Sequence, residues 1–548
     1  MDYLHFLKRL PTQAVVYLRQ RLSVLLGVSA TLSLAVAPVA HSAERVEVFV
    51  GPFEPVIWVD DLEALAKDGT VTKRFRPFAK HLDEQQLQEL QLFLNRPLDV
   101  DLITMSQFTY WQVGERFLER MGQLVQTDNF LNGFRALRAA LIFAAADGEG
   151  VTVLEVLQQY PLDTVQLDFF LLRQILQENR RFFAEWDTVL AQLQTVDRQK
   201  TLPMSSDTST LINSGTYPWQ KESFTFQNPL REGDIPFDIY FPQQNTADNI
   251  PVIVFSHGVA SGQNAFTYLA QHLTSHGYAV VVPQHYDDSQ KYFQFLAGVG
   301  SPPNPITLIS RPRDISFVLD ELEELAQTRT EYTNLDLNNV GVLGHSLGGF
   351  TVLAAAGAEL NFDQVEQHCS FEKRNRPSLN PSLLVQCDLL DLANEGPFEL
   401  RDERIQAVFA LNPPTSLFFG ESGLAQLDIP TFLLASTADI IVPAIPEQVE
   451  PFQGLQTDDR YLAVVENATH FTFLAGDLSE GAIPLPSALL GPDPQQARPY
   501  LKSLSLAFFN RHLLDQTEAD TFLSQSYLES LGTTPFQVTI FQNSNLIE

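Results

Sequence analysis

From Ile250 onward the chain alternates short, unbroken apolar runs with longer stretches in which apolar residues recur every three or four positions. The runs read IPVIVFS, YAVVV, VGVLG, IQAVFAL, IPTFLLA and YLAVV. None shows the apolar–polar alternation of a strand with one wet face, so each reads as a strand buried on both faces. Helical patterns fall between them: around 265–276, at RPRDISFVLDELEELAQ, at LGGFTVLAAAGAEL and near 496–514. Strand, helix, strand in this order predicts a doubly wound, mostly parallel α/β sheet. Two earlier runs, ESFTFQ and IPFDIYFP, read as paired strands at its start.

The rhythm before Tyr217 is different. RVEVFVGPFEPVIWV (45–59) alternates around Gly51-Pro52 and predicts a small hairpin. Helical patterns follow at DDLEALAKDG, DEQQLQELQLFLNRP, SQFTYWQVGERFLERMGQLV and NGFRALRAALIFAAADG, and TVLEVLQQYP places Thr152 and Glu155 at capping-box spacing. A mainly helical domain over 44–165 is expected, then a long amphipathic helix (166–194) and a Ser/Thr-rich linker within 166–216. The α/β domain occupies 217–548, with an insertion at 359–404.

Composition narrows the picture. The chain has 548 residues, 45% hydrophobic and 18% charged, an ordinary globular balance over more than one domain. Asp and Glu number 66 against 35 Lys and Arg, for a formal charge of −31. Such a surface repels phosphate backbones, which argues against a nucleic-acid partner. The first 43 residues stand apart: Lys8, Arg9, Arg19 and Arg21 precede the uncharged run Leu22–Val39, and Ala40 and Ser42 supply the small residues of an export cleavage site. The reading is a secretory signal and a periplasmic or extracellular protein, with an uncleaved membrane anchor as the alternative. No other segment is long and apolar enough to span a bilayer. In an exported chain the two cysteines, Cys369 and Cys387, read as one disulfide within the insertion.

The candidate chemistry starts at VGVLGHSLGGF. Ser346 sits in the sharp turn between a buried strand and a helix, with Gly344 and Gly348 relieving collisions on either side. A serine needs a base, and the base an orienting acid. In the chain order serine, acid, histidine, three histidines lie downstream: His368 beside Cys369, His512 in the last amphipathic helix, and His470 directly after a strand. His470 has the position. Asp439 follows the preceding strand, whereas Asp428 lies before it and Glu466 is the main rival. The backbone N–H groups of Leu347 and Val259, the latter in the loop after IPVIVFSHG, are the expected oxyanion donors. His257 reads as a loop-organising residue, and His345 as pointing away from the substrate. No cofactor is needed and no metal-ligand cluster competes.

PVIVFSHG, GHSLGG, STADIIVP and NATHFTF resemble the α/β-hydrolase superfamily, in its lipase, cutinase and platelet-activating-factor acetylhydrolase-like branch. VDDLEALAKDG, SQFTYW and NGFRALRAALIFAAADGEG resemble the N-terminal domain of unknown function in a mostly cyanobacterial group of predicted exported hydrolases. In the acetylhydrolase relatives the acid follows the strand immediately after the nucleophile helix. That strand here ends in Asn412, which moves the role to Asp439, as in cutinase- and chlorophyllase-like enzymes. The resemblance implies a Ser-Asp-His serine hydrolase acting on a small-molecule ester or lipid with an apolar acyl group. A thioesterase or peptidase with the same triad, and an inactive hydrolase fold used as a binding module, are the alternatives. The insertion 359–404 is expected to stand over the site as a cap or as a surface excursion, and the apolar loop 292–306 to line an acyl pocket.

Overall fold

The computed structural model describes residues 42–49, 55–146, 148, 150–183, 186, 189, 210–229, 231, 233–243, 249–370, 378, 380–474, 491–532 and 534–542. The proposed signal segment, the Gly51-Pro52 turn and most of the expected linker lie outside them. The chain divides into two compact units, one of residues up to Asp99 with Val125–Leu167, the other of Val100–Leu124 with Asp168 onward. Among the described residues no helix is long and apolar enough to cross a membrane.

In the first unit, strands β1 (Arg45–Phe49), β2 (Val56–Trp58), β3 (Val125–Gln126) and β4 (Thr164–Asp168) form a sheet in the order β2-β1-β4-β3. Beside it are the helices Val59–Asp68, Glu84–Asn95, Phe134–Ala144 and Val153–Gln158. Thr152 and Glu155 form the capping box their spacing predicts, and Asp83 with Gln86 form another. Leu62, Leu65, Phe75 and Leu94 make the core of the first two helices. The unit therefore holds more strand than one hairpin. The helix expected from 166 starts only at Phe169 (Phe169–Phe183), because TVQLD is taken up by pairing with β3. Asp168 ends that strand and caps the helix by accepting from Leu171 N.

The second unit is built on nine strands: β5 (Trp219–Gln227), β6 (Asp234–Pro242), β7 (Ile250–Ser256), β8 (Ala279–Pro283), β9 (Leu335–His345), β10 (Ile405–Leu411), β11 (Thr431–Ser436), β12 (Arg460–Val465) and β13 (Val538–Gln542). Their order is β13-β12-β11-β10-β9-β7-β8-β6-β5. The six central strands are parallel; β6 and β13 flank them antiparallel, and β5 pairs antiparallel with β6 at the outer edge. Every residue of β7, β8 and β11 is buried, while β5 alternates as an edge strand should. Helices Thr307–Thr328 and Leu347–Ala355 cover one face through Ile315, Leu319, Phe350 and Leu353. Helices Thr267–Ser275 and Arg498–Leu513 cover the other through Leu269, Leu273, Leu501 and Phe508. Strand β13 was not foreseen: five residues near the C-terminus have no helix–strand rhythm around them.

The connection after β7 leads to β8 on one side, and the connection after β9 leads to β10 on the other. Neighbouring strands whose connections diverge leave a crevice at their carboxyl ends, and there such sheets bind ligands.

The insertion carries the helices Phe362–Cys369 and Ser382–Gln386, and a disulfide joins Cys369 to Cys387. It is anchored by buried Glu447, which accepts from the backbone N–H of Thr415 and Ser416, the hydroxyls of Ser382 and Ser416, and the amides of Asn380 and Gln386. The stretch 292–306 is only partly a loop. Asp288 caps a helix, Ser289–Leu296, that buries Tyr292 and Phe295 at helical spacing, and the open segment begins at Ala297.

Glu447→Leu keeps the volume but strips Thr415 N, Ser416 N, Ser416 Oγ and Asn380 Nδ2 of their acceptor, while Ser382 Oγ still donates to Asn380 Oδ1 and Gln386 Nε2 to Ser382 Oγ. Urea unfolding should show a loss of at least about 3 kcal/mol. A loss under about 1 kcal/mol would mean the donors find other partners.

Candidate active site

Ser346 occupies a turn that its neighbours force. Its backbone lies at φ 57° and ψ −125°, a conformation that costs about 1–3 kcal/mol for a residue with a side chain. The turn persists because both flanks are crowded: a Cβ on Gly344 would lie 2.1 Å from Gly348 O, and one on Gly348 would lie 2.1 Å from Ser256 O. Only glycine permits this approach of strand, turn and helix. Ser346 N donates to Leu411 O on β10 at 2.9 Å, and Ser346 O accepts from Phe350 N in the first helical turn. The serine thus stands at the diverging connections of β7 and β9, ahead of a helix N-terminus whose first N–H groups have no partner within the helix.

The loops after β11 and β12 are laced together by Thr437 N to Val465 O and Ala438 N to Ala468 O, which brings Asp439 beside His470. His470 Nδ1 donates to Asp439 Oδ2 at 2.6 Å, and His470 Nε2 lies 2.9 Å from Ser346 Oγ. With Nδ1 as donor, Nε2 is left as the ring nitrogen facing the Ser346 hydroxyl. The other oxygen of Asp439 accepts from Ile441 N at 2.8 Å and Val442 N at 2.7 Å, so the carboxylate is fixed at both ends. Asp439 is wholly buried, whereas Ser346 keeps 7% of its surface open. The loop after β7 runs against the serine: a Cβ at Gly258 would meet Ser346 Cβ at 3.3 Å, placing Val259 next to it in chain and in space. Val259 and Leu347 line one small cavity.

The rival residues have other engagements. His368 Nδ1 donates to Gln364 O, His512 Nε2 lies 3.1 Å from the Tyr461 hydroxyl, and Asp428 pairs with Arg401. Glu466 follows β12 and is half-buried, and it is Asp439 that meets His470 Nδ1. Among the described residues no cluster of His, Cys, Asp or Glu is arranged to hold a metal ion.

Residues 42–168 match a family described as "Alpha/beta hydrolase of unknown function (DUF1400)", and residues 207–367 match the chlorophyllase family. The curated proteins similar to the chain include two annotated by name as chlorophyllase-1, chloroplastic. That of Citrus unshiu is 28% identical over 24% of this chain and 36% of its own length, and that of Citrus sinensis 29% over 21% and 32%. A platelet-activating factor acetylhydrolase of Canis lupus familiaris is 27% identical over 21% of this chain and 34% of its own length. The chain thus spans about a third of the length of the curated relatives it matches. It belongs to the α/β-hydrolase superfamily.

In this α/β hydrolase the loop after β7 rests on a buried polar layer that sequence reasoning missed. Arg311 Nε donates to Asp287 Oδ1 at 2.8 Å, while its other nitrogens donate to His257 O at 2.7 Å and Gly258 O at 3.2 Å. The guanidinium is fully buried and fixes both carbonyls just ahead of Val259. His257 Nδ1 donates to Gly258 O, and its Nε2 accepts from His285 N. Beneath lies a second serine–histidine–aspartate line: Ser256 Oγ is 2.9 Å from His285 Nε2, and His285 Nδ1 is 3.0 Å from Asp314 Oδ2. Its members are at most 1% exposed, so no substrate reaches them and they serve as scaffold. One signal could have revealed Arg311: it interrupts the apolar stripe Leu308, Ile315, Leu319 and Leu322 of its helix.

His345 also acts behind the site. Its Nε2 donates to His470 O at 2.8 Å, holding the loop that carries His470. Burial, then the nearby His470, push the His345 imidazole down to about 3. The unfolded chain therefore binds a proton below about pH 6.5 that the folded chain refuses, and this share of stability is lost as pH falls from about 6 towards 4. His345→Gln keeps an N–H donor without the titration. Its stability, followed by urea midpoints at pH 6, 5 and 4, should fall less steeply than wild type by about 1.4 kcal/mol per pH unit. Parallel curves would refute the assignment.

Proposed function

We propose that the chain is a serine hydrolase of carboxylic esters, with Ser346 as nucleophile, His470 as base and Asp439 as its orienting acid. The observation that carries this is His470 bonded through one ring nitrogen to Asp439 and through the other to Ser346, in the crevice where the sheet's connections diverge. In the first step Ser346 Oγ bonds to the ester carbonyl carbon as His470 Nε2 takes its proton. The carbonyl oxygen becomes an anion facing the N–H groups of Leu347 and Val259. The carbon–alkoxide bond then breaks, and His470 gives its proton to the departing oxygen. Water repeats the sequence on the acyl-serine, releasing the acid and restoring the hydroxyl. Asp439 orients the ring and stabilises the imidazolium. No cofactor enters these steps.

A small-molecule ester fits the names of the relatives, a chlorophyllase and an acetylhydrolase. Apolar or lipid-like esters are favoured by the valine and leucine side chains flanking the serine. The Cys369–Cys387 bond suits an oxidising compartment, which supports export.

Ser346→Ala and His470→Ala should each lower kcat/KM for p-nitrophenyl acetate by at least about a thousandfold, since such groups act as a unit. His512→Ala should stay within about threefold of wild type. A fluorophosphonate should label wild type at Ser346 and leave Ser346→Ala unlabelled. Turnover that survives in Ser346→Ala would refute the nucleophile, and Glu466→Gln more damaging than Asp439→Asn would refute the acid. Matched thioester and amide substrates turned over faster than the ester would replace the esterase reading with the thioesterase or peptidase one.

A further inference from the structure

The cavity lined by Val259 and by Leu347, the residue after Ser346, is bounded on one side by a residue from far outside the α/β pattern. Helices Leu102–Tyr110 and Gln112–Leu124 belong to the compact unit of the large sheet, and Trp111 is the single residue between them. Its indole meets Tyr292 and Phe295 edge-on, with ring centres 6.0 and 5.7 Å away. It faces the same cavity as Val259, Leu347, Tyr292, Leu308 and Val385, which Asp287 and Asp388, paired with Arg311 and Arg116, also line.

Neither His470 nor Ser346 lines this space. This bears on which half of an ester it would take. The departing oxygen must lie against His470 Nε2 to receive its proton, so the alcohol half extends towards the His470 loop. A cavity on the Val259 and Leu347 side, away from that loop, receives the acyl half. Its volume is about 20 Å³. About 10–15 Å³ on this measure holds one water molecule, so the space fits a methyl group and little more.

The wall is braced on several sides. Arg116, on the helix after Trp111, is buried, pairs with Asp388 and Asp391, and donates to Leu384 O at 3.1 Å. Gln112 donates to Asp391, and Thr104 Oγ1 to Leu296 O. These contacts tie the backbone of the helix pair to the disulfide-closed insertion and to the helix Ser289–Leu296, and the indole itself is held by its edge-on packing on Tyr292 and Phe295.

We propose that Trp111 is the specificity-determining end wall of the acyl pocket, limiting the hydrolase to esters of acetyl-sized acids. The proposal rests on the esterase reading above and adds the substrate's acyl size to it. A rigid wall discriminates by the methylenes it shuts out, each worth about tenfold or more.

The test compares kcat/KM of the full chain for p-nitrophenyl acetate, butyrate and octanoate in wild type, Trp111→Ala, Trp111→Phe and Ser346→Ala. Wild type should favour acetate over octanoate by at least about a hundredfold. Trp111→Ala should raise the octanoate-to-acetate ratio by at least about tenfold, with Trp111→Phe in between. Should Trp111→Ala fail to fold by thermal melting, Trp111→Phe and Val385→Ala, which widens the facing wall, carry the same comparison. Wild type that accepts octanoate as readily as acetate, or an unchanged ratio in the folded variants, would overturn the wall alone, provided Ser346→Ala is inert. No turnover of any ester by wild type, or full turnover by Ser346→Ala, would overturn the esterase reading and the wall with it.

Discussion

The contact on which the rest of the site depends is the approach of bare backbone to bare backbone at Gly344 and Gly348. Strand β9, the turn and the following helix are packed so closely that even a Cβ at either glycine would fall 2.1 Å from a carbonyl oxygen. That compression holds Ser346 at a positive φ, lifts its hydroxyl above the sheet edge and points it at His470. A relaxed turn would save about 1–3 kcal/mol and lose the geometry. The two faces of packed helices hold the strained turn in place.

Polar groups in the interior divide into those open to the crevice and those sealed beneath it. Ser346–His470–Asp439 and Ser256–His285–Asp314 use the same residue types at nearly the same spacing, 2.9 and 2.6 Å against 2.9 and 3.0 Å. Access separates them. The second line is sealed beneath the loop after β7, where its hydrogen bonds and those of Arg311 fix the backbone of His257 and Gly258.

Glu447 plays a similar part for the insertion, and Arg116 for the helix pair around Trp111. Each is a buried charge surrounded by partners, and each joins segments distant in sequence. Such groups add little net stability compared with apolar packing, but their donors and acceptors are satisfied in one arrangement only. They explain how the insertion and the helix pair around Trp111 are held in place.

Much of this was legible in the sequence. Unbroken apolar runs mark strands buried on both faces, and β7 to β12 appear where those runs occur. The order of glycines around Ser346 and the placement of Asp439 and His470 just after strands follow from the same pattern, since side chains at a parallel sheet's carboxyl edge must come from residues that end strands. The pairing of Cys369 with Cys387 follows from their being the only two cysteines. Other features depended on contacts between distant segments. TVQLD became a strand and the start of 292–306 a helix, because neighbours in space outweighed local rhythm. Asp439 rather than Glu466 meets His470 because backbone bonds between two loops set which carboxylate faces the imidazole. Residues 100–124 lie in the unit of the large sheet, although about a hundred residues of chain separate them from its first strand. Periodicity records which face of an element is buried; which surface buries it is decided only when the chain closes on itself.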